Sequence, residues 1–382
     1  MGPPPRILLS AGEASGDRLG AGLARALRRR RPDIELLGMG GRQMAEAGVR
    51  LVQDATEVAV VGIQEVLAHL PAIRRAMGSL ERLLREERPD LLVPIDFPDF
   101  NLRLASRARR AKVDVVYFVS PQVWAWRKNR VQTIRRLVRR MLVLFPFETK
   151  FYDDAAVPVT FVGHPVAEQI SEPRSREELC AAAGLDPERE VVAVVPGSRR
   201  SEVQRLLTPM LRGADLVRRR RPGTQLLVTL APDLDRDWFD ERMALAGAQD
   251  VSVHAGDFPE ILSVCETGVV ASGTASLEAA VTGLPIVVGY KMGPLSYLVG
   301  RALVRLPHIA LPNLVAGRGV VPELIQGQCN AERVAEELSG YLEHPERARR
   351  TRVVLSGLRE RLGGPGVYER AAEAILDELP GR

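Results

Sequence analysis

Asp96 stands where an apolar run of the chain gives way to a polar loop, which is a suitable place for a general base. It ends the run DLLVPID at residues 90–96. Partial burial among Phe97 and Phe100 would raise the pKa of a carboxyl group toward working pH, whereas a nearby cation would lower it. Asp99, in the same loop, suits a helix N-cap better. Asp96 is therefore the candidate base.

Glu13 lies in a second loop of this kind, Ser10–Asp17 (SAGEASGD), directly after the first apolar run of the chain. The glycines allow a ligand to approach the backbone closely, and the helix that follows would offer free N–H groups to an anion. A carboxylate at a helix start is more often a cap or a partner of the helix dipole than a catalyst. Both interpretations of Glu13 stay open.

The loop at residues 195–202 (VPGSRRSE) has the composition of a phosphate-binding turn. It follows an apolar run and opens a helical pattern. Free N–H groups at the helix start, together with Ser198 and the guanidinium of Arg199, would suit a diphosphate.

A later loop at residues 271–278 (ASGTASLE) repeats this arrangement. The small residues Ser272, Gly273 and Thr274 would let phosphate oxygens meet the helix N-terminus. Glu278 lies one turn into the helix, within reach of a ribose diol. Two anion sites in one half of the chain, facing a half that bears carboxylates, predict a two-substrate site across a cleft.

Residues 58–77 carry an apolar stripe at helical spacing, next to the arginines Arg74 and Arg75. The stripe consists of Ile63, Val66, Leu67, Leu70, Ile73 and Met77. Such a stripe is usually core, but beside basic residues it could rest on an anionic bilayer. Pro71 would distort the helix. The residues alone leave both alternatives open.

Trp124 and Trp126 lie in the loop Ser120–Arg127, directly after another apolar run. They could stack on a sugar, line an acyl pocket or fill an interdomain core.

The elements that must position these residues follow one rhythm in both halves of the chain. ILLSAGEASGD opens the first half and VVAVVPGSRRSE the second, and each is followed by a helical stretch and another apolar run. Further strands are expected at 90–96, 114–120, 140–147, 251–256, 267–272 and 284–290, and helices at about 200–220, 275–283 and 331–346. This pattern predicts an α/β protein with two doubly wound parallel sheets, joined near Gly163–Arg174.

Composition limits the class of protein. The 382 residues are 46% apolar and 26% charged, which excludes a disordered chain, a collagen or a disulfide scaffold and suggests two domains. The three cysteines are far apart, which favours a reducing cytoplasm. Residues 1–12 lack the apolar core of a signal peptide, and no run of 18 uncharged apolar residues could span a membrane. We expect a cytosolic protein that could touch a membrane.

Charge and motifs narrow the choice further. Residues 1–165 hold 27 basic and 18 acidic side chains, which suggests an anionic partner for this half. None of the four lysines follows a glycine, so a P-loop is excluded, and no strict G-x-G-x-x-G follows a strand. The histidines show no metal-ligand spacing, and we predict neither a metal nor a cofactor.

Ten short motifs, in order along most of the chain, resemble the lipid-A-disaccharide synthase family, glycosyltransferases of Gram-negative outer-membrane lipid synthesis. They are AGEASGD (11–17), VGIQEVL (61–67), IDFPDFN (95–101), SPQVWAWR (120–127), FPFE (145–148), FVGHP (161–165), PGSRRSE (196–202), ASGTASLE (271–278), LPN (311–313) and VPEL (321–324). The resemblance implies the GT-B arrangement, two Rossmann-like domains around a cleft.

Three segments follow from this resemblance. Residues 1–165 would bind the acceptor and face the membrane, and residues 166–345 would bind the UDP-sugar donor. Residues 346–382 would form a helical segment that crosses back or is exchanged in a homodimer.

The resemblance also implies the reaction, that of the inverting glycosyltransferases of family 19. A UDP-2,3-diacylglucosamine donor would give its sugar to the 6-hydroxyl of 2,3-diacylglucosamine 1-phosphate, forming a β-1,6 disaccharide 1-phosphate and UDP. Inversion needs a single displacement, so one base and a stabilised leaving group suffice. No cofactor is implied.

Carried over to matching positions, the family assigns roles to particular residues. Asp96 would be the base, with Glu13 nearby, and Arg199 beside Ser198 would meet the leaving diphosphate. The donor site would be completed by Ser272, Gly273, Thr274, Glu278 and Asn313. Because both substrates carry acyl chains, the 63–73 stripe would contact the anionic inner membrane from the cytoplasmic side.

Two other functions compete with this interpretation. An isomerase of the UDP-N-acetylglucosamine 2-epimerase type would use similar nucleotide loops without a lipid, although the tryptophan loop and the apolar stripe argue against it. A nucleic-acid binder is suggested by the pI of 9.3, but 5% aromatic residues provide no platform for stacking bases.

Overall fold

The computed structural model describes residues 3–55, 63–121, 130–168, 174–256, 258–293, 297 and 307–380, with the backbone alone for 63–69. These residues form two compact units. The first comprises Met1–Pro165 and Pro365–Arg382, and the second comprises Val166–Gly364. Each unit is built on its own parallel β-sheet, so the α/β fold expected from the sequence is confirmed.

The first unit contains a seven-stranded parallel sheet in the order β3-β2-β1-β4-β5-β6-β7. Its strands are β1 (Arg6–Ala11), β2 (Glu35–Gly40), β3 (Arg50–Asp54), β4 (Leu91–Ile95), β5 (Asp114–Phe118), β6 (Arg140–Val143) and β7 (Val159–Phe161). The central strands are nearly continuous apolar runs because both faces of the sheet are covered.

Helices cover both faces of this sheet. They are α1 (Ala14–Arg30), α2 (Arg42–Glu46), α3 (Ile63–Glu86), α4 (Pro98–Arg110), α5 (Arg130–Leu137), α6 (Pro146–Asp154) and, from the C-terminal part of the chain, Val367–Leu376. One core cluster packs α3, α4 and α5 on the sheet, and a second packs α1, α2 and the C-terminal helix. The unit is therefore doubly wound.

The run at 140–147 was expected to be strand throughout, and it is not. β6 ends at Val143, and Pro146 begins α6. A proline at the first helical position has the φ that a helix needs and lacks only an N–H group that would have no partner there. The apolar residues beyond Val143 therefore belong to a helix start.

The second unit contains a six-stranded parallel sheet in the order β10-β9-β8-β11-β12-β13. Its strands are β8 (Val191–Val195), β9 (Gln225–Leu230), β10 (Val251–Ala255), β11 (Thr267–Ala271), β12 (Ile286–Tyr290) and β13 (Glu323–Ile325). Its helices are α7 (Arg176–Ala183), α8 (Arg200–Arg220), α9 (Arg236–Ala246), α10 (Phe258–Leu262), α11 (Thr274–Val281), α12 (Leu311–Ala316), α13 (Ala331–Glu343), α14 (Pro345–Ser356) and α15 (Leu358–Arg361). Short 3-10 turns cover Pro165–Ala167 and Gln326–Gln328.

The C-terminal segment returns to the first unit from Pro365 onward, whereas α14 and α15 stay with the second. The last helix, α16 (Val367–Leu376), packs on α1, and Arg30 at the end of α1 forms ion pairs with Glu369 and Glu373. Arg140, the first residue of β6, forms an ion pair with Glu378 at 2.6 Å. The arginines that end α1 are thus partly neutralised by this segment.

Both sheets reverse their strand order beside their first strand. In the first unit, β1 lies between β2 and β4; in the second, β8 lies between β9 and β11. In open parallel sheets, ligands bind at the carboxyl ends of the strands on either side of such a reversal. Ligand binding is therefore expected at the loops after β1, β4, β8 and β11.

Candidate active site

Glu13 and Asp96 belong to the two loops at the strand reversal of the first sheet. The last residues of β1 and β4, Ala11 and Ile95, are register partners. Asp96 directly follows Ile95, and Glu13 comes two residues after Ala11. The structure therefore brings the two predicted catalytic carboxylates to the same edge of one sheet.

The turn at Asp96 has an unusual backbone. Asp96 and Phe97 have φ angles of 48° and 47°, in the left-handed region that L residues rarely adopt. Each such residue costs about 1–3 kcal/mol and persists only where the surroundings hold it. Strain of this kind clusters at functional sites, and here it falls on the candidate base.

Asp99 does not cap helix α4 as the sequence suggested. Phe97 occupies the N-cap position, and Pro98 is the first helical residue. Asp99 lies in the first turn, where the helix dipole favours a carboxylate, and pairs with Arg130 while remaining largely exposed. With the left-handed turn at Phe97, the helix starts two residues earlier than it would with Asp99 as the cap.

Glu13 takes the N-cap position of α1, but its side chain makes no capping hydrogen bond and is exposed. The buried Asp17, in the same loop motif, is the acid that caps a helix. Its carboxylate accepts hydrogen bonds from the backbone N–H groups of Gly41 (2.7 Å), Gln43 (3.0 Å) and Met44 (3.0 Å) at the start of α2. Glu13 is therefore not committed to capping.

The second sheet places the loop after β8 next to the loop after β11, because Val195 and Val270 are register partners. In the first loop Gly197 has a φ of 112°, and α8 begins at Arg200. Ser198 and Arg199 are both exposed. The two predicted anion loops therefore lie side by side at the strand reversal.

A carboxylate from α8 occupies the first of these loops. Glu202 accepts hydrogen bonds from the backbone N–H groups of Ser198 (3.2 Å) and Arg199 (3.4 Å), and from the Arg199 guanidinium at 2.9 Å. These are donors that would suit a phosphate. An anion bound through them would compete with Glu202.

Gly273 opens the second loop with a φ of 141°, and a Cβ at this residue would meet no atom of the described residues within 4 Å. The backbone N–H of Ser272 donates to Gly289 O at 2.9 Å within the sheet, whereas Thr274 is exposed at the first position of α11. Glu278 lies half-buried one turn further on. The turn therefore has open space above its glycine.

Tyr290, to which the sequence assigned no role, ends β12 near the first loop. Burial raises the pKa of its phenol, the carboxylate of Glu202 adds to this rise, and Arg199 opposes it. The hydroxyl therefore lies close enough to the Glu202–Arg199 pair to feel both charges. A polar residue closing the apolar run LPIVVGY was the signal available in the sequence.

Asn313 is fully engaged inside the second unit. Its Nδ2 donates to Val321 O (2.9 Å) and Glu323 Oε1 (2.7 Å), and its Oδ1 accepts from the N–H groups of Val320 (2.7 Å) and Val321 (2.9 Å). The side chain is buried. Its amide therefore has no capacity left for a nucleotide, and its role here is to hold the start of α12 to the chain before β13.

Helix α3 carries the predicted apolar stripe and continues through Pro71. The side chains of Ile63, Val66 and Leu67 lie outside the described residues. Leu70 is half-exposed, whereas Ile73 packs on the first core cluster and Met77 is buried within it. The C-terminal part of the stripe is therefore core. Trp124 and Trp126 also lie outside the described residues.

Within the described ranges, no helix has both the length and the apolarity needed to cross a bilayer. The same part of the chain contains no group of three or more His, Cys, Asp or Glu side chains that could hold a metal ion.

Comparisons with known proteins agree over nearly the whole chain. Residues 7–377 match the family model described as Lipid-A-disaccharide synthetase. The Lipid-A-disaccharide synthase of Geobacter metallireducens is 47% identical over 377 residues, which cover 99% of this chain and 98% of that protein.

Two solved structures are similar in fold. A putative UDP-N-acetylglucosamine 2-epimerase from Listeria monocytogenes has a TM-score of 0.64 at 13% identity, covering 98% of this chain and 95% of its own. The glycotransferase of kitacinnamycin has a TM-score of 0.63 at 17% identity, covering 99% and 100%. A transferase and an isomerase thus share the architecture, so the fold alone does not choose between them.

Proposed function

The chain belongs to the lipid-A-disaccharide synthase family, and from this membership we propose that it joins two acylated glucosamine units in a single inverting transfer. It is an enzyme of lipid A disaccharide synthesis. The donor is UDP-2,3-diacylglucosamine, and the acceptor is 2,3-diacylglucosamine 1-phosphate. The products are the β-1,6-linked disaccharide 1-phosphate and UDP. The observation that carries this proposal is the family match over residues 7–377.

Asp96 acts as the base for the acceptor. It takes the proton from the acceptor 6-hydroxyl as that oxygen attacks the anomeric carbon of the donor. The bond from this carbon to the diphosphate breaks, and UDP carries away the electron pair. Support comes from the position of Asp96 at the strand reversal of the first sheet and from the left-handed backbone that holds it there. Glu13, exposed at the same sheet edge, assists in orienting the acceptor.

The loops of the second unit bind the UDP moiety. Arg199 leaves Glu202 and pairs with the diphosphate, which offers a stronger, doubly charged partner than one exposed carboxylate. The open turn at Gly273 accepts phosphate oxygens at the N-terminus of α11, and Ser198, Ser272 and Thr274 line the same edge. Glu278 binds the ribose diol. Asn313 supports this site by holding α12 in place.

The first unit meets an anionic membrane through α3. Leu70 is half-exposed on this helix, and Arg74, Arg75, Arg82 and Arg85 are exposed beside it. Acyl chains of both substrates would reach the protein from such a surface. Each arginine near an anionic bilayer contributes about 1 kcal/mol, and this contribution is lost in high salt.

Sedimentation with lipid vesicles tests the membrane proposal. Vesicles with anionic lipid should pellet the protein in low salt but not in high salt, and zwitterionic vesicles should pellet less of it. Replacing Arg74 and Arg75 by glutamine should weaken binding about 30-fold. The matched control replaces Arg349 and Arg350, two exposed arginines of α14 in the second unit. Binding that does not change with salt concentration would contradict the proposal, as would equal effects of the two pairs of arginine substitutions.

Light scattering of the purified chain tests whether the C-terminal segment is exchanged between two chains, because it measures the mass of the particle in solution. Its ion pairs with Arg30 and Arg140 form here within one chain. Exchange of this segment in a homodimer would use the same pairs between two chains. A dimeric mass supports exchange, and a monomeric mass at assay concentration would contradict it.

Product analysis by mass spectrometry tests the reaction itself. The protein is incubated with both diacylated substrates, with UDP-N-acetylglucosamine as the control donor. We expect a tetraacyl disaccharide 1-phosphate and UDP only from the acylated donor. Epimerisation of the control sugar without transfer would favour the isomerase instead.

A further inference from the structure

The backbone of Asp96 is held by two buried side chains that have no part in the chemistry proposed above. Its main-chain carbonyl accepts hydrogen bonds from Asn101 Nδ2 and from the Tyr117 hydroxyl, both at 2.7 Å. Neither donor residue is exposed to solvent. On the other side, the N–H of Asp96 donates to Phe118 O at 3.2 Å. Hydrogen bonds therefore hold both the N–H and the carbonyl group of the strained residue Asp96.

Asn101 also joins this turn to the neighbouring strand. Its Oδ1 accepts a hydrogen bond from Ser10 Oγ at 2.7 Å, and its Nδ2 lies 3.1 Å from Ser10 O. Ser10 belongs to β1, three residues before Glu13, and is fully buried. The side-chain amide of Asn101 thus fixes the position of the turn after β4 relative to the end of β1.

We propose that Asn101 and Tyr117 are positioning residues for the transfer reaction, which hold the left-handed turn that presents the Asp96 carboxylate. This inference rests on the proposed role of Asp96 as base. Neither residue touches a substrate. Without their hydrogen bonds, Asp96 and Phe97 relax toward common backbone angles, and the carboxylate moves away from the acceptor hydroxyl.

The size of the effect follows from the geometry of proton transfer. A general base works within about 2.6–3.2 Å of the proton's parent atom. A displacement of about 1 Å can cost about 10²-fold in rate. Binding of the substrates depends on other groups, so the loss falls on kcat and not on KM.

Two conservative substitutions test the proposal. Tyr117→Phe keeps the ring and removes the hydroxyl that donates to Asp96 O. Asn101→Asp keeps the side-chain shape, but it replaces the donating Nδ2 by an oxygen that faces carbonyl oxygens. We expect kcat to fall about 10-fold and about 10²-fold, respectively, with both KM values changed less than about threefold. Folding is checked by circular dichroism and thermal unfolding.

Tyr341→Phe provides the matched control. Tyr341 is another buried tyrosine, and its hydroxyl lies 3.4 Å from Ile286 O, a strand carbonyl of the second unit. This variant should lose some stability and keep its kcat. If Asn101→Asp does not fold, Ser10→Ala replaces it, because it removes the hydrogen bond to Asn101 Oδ1 alone.

A double-mutant cycle separates positioning from general damage. In the Asp96→Asn background, Tyr117→Phe should cause no further fall in kcat, because no carboxylate remains to be positioned. An equal loss in both backgrounds, or wild-type kcat in the folded single variants, would overturn the proposal. If Asp96→Asn alone is as active as the wild type, the proposed base is wrong, and the inference falls with it.

Discussion

The ring of Phe97 lies on the backbone of Gly12, so that a Cβ at residue 12 would stand 2.2 Å from Phe97 Cδ1. Gly12 directly precedes Glu13, and Phe97 directly follows Asp96. This contact joins the loops after β1 and β4 at the strand reversal of the first sheet. The spacing of the two candidate catalytic carboxylates therefore depends on a residue without a side chain.

Gly12→Ala should displace the Phe97 ring and with it the Asp96 turn. Overpacking of this kind costs about 1–3 kcal/mol, and we expect kcat to fall at least about 10-fold. Unfolding by urea and steady-state kinetics measure the two effects. Gly78→Ala, on helix α3, is the control. A Cβ there would meet nothing within 4 Å in the part of the chain that the structure describes, and the substitution should stabilise the protein by about 0.5–1 kcal/mol. Unchanged kcat in Gly12→Ala would contradict the coupling of the two loops.

Asp96→Asn should fold normally and lose about 10² to 10⁴ in kcat, because an amide cannot take the proton from the 6-hydroxyl of the acceptor sugar. Asp99→Asn changes a carboxylate three residues away that is exposed and paired with Arg130, and it should keep most of its activity. Initial rates of UDP release measure both. A larger loss in Asp99→Asn than in Asp96→Asn would move the base to Asp99.

Arg199→Ala should weaken UDP binding about 10-fold or more, since hydrogen bonds to charged groups contribute about 1.5–3 kcal/mol. Arg200→Ala removes the next arginine, which stacks on Trp238, and should change UDP affinity little. Isothermal titration calorimetry with UDP gives both dissociation constants. Equal effects of the two substitutions would indicate a general electrostatic attraction and not a diphosphate contact.

Asn313→Ala should destabilise the second unit because it leaves the N–H groups of Val320 and Val321 without their acceptor. It also removes one of the hydrogen bonds that the Glu323 carboxylate accepts. One unsatisfied buried group costs about 1–3 kcal/mol. We expect the melting temperature to fall by at least about 4 °C. A variant that melts like the wild type but no longer binds UDP would show that Asn313 contacts the nucleotide directly.

His164 should make the first unit less stable in mild acid. Burial, helped by the charge of Arg18, lowers the pKa of this imidazole to about 4 in the folded protein. The unfolded chain binds the proton near pH 6.5, so stability is complete above that pH and falls by about 3 kcal/mol as the pH drops from 6.5 to 4. His164→Gln should flatten this part of the curve of unfolding free energy against pH. Parallel curves for His164→Gln and the wild type would contradict this assignment.

The sequence predicted what depends on local pattern. Apolar runs ending in Gly, Ser or Asp located the strands and the loops after them, and the likeness of the two chain halves indicated two doubly wound sheets. Asp96 was predicted to be the base because it ends an apolar run where a polar loop begins, and it does lie directly after β4. These features depend on residues close together in the chain, so they are visible in the sequence.

Features that depend on distant partners could not be predicted in this way. The sequence left open whether Glu13 caps a helix. The structure shows that Asp17, in the same loop, accepts hydrogen bonds from the amides of Gly41 to Met44, which lie far along the chain. The LPN motif likewise gives no sign that the Asn313 amide bonds to Val320, Val321 and Glu323, which follow it in the chain. The return of the chain at Pro365 likewise has no local signal.

The most direct test of the proposed transfer is the anomeric configuration of the product. The disaccharide made by the wild-type protein from both diacylated substrates is purified, and its glycosidic proton is examined by NMR, with UDP quantified in the same reaction. One displacement assisted by Asp96 predicts a β-1,6 linkage and one UDP per disaccharide. An α linkage would contradict the single displacement, and the absence of a disaccharide would contradict the proposed reaction.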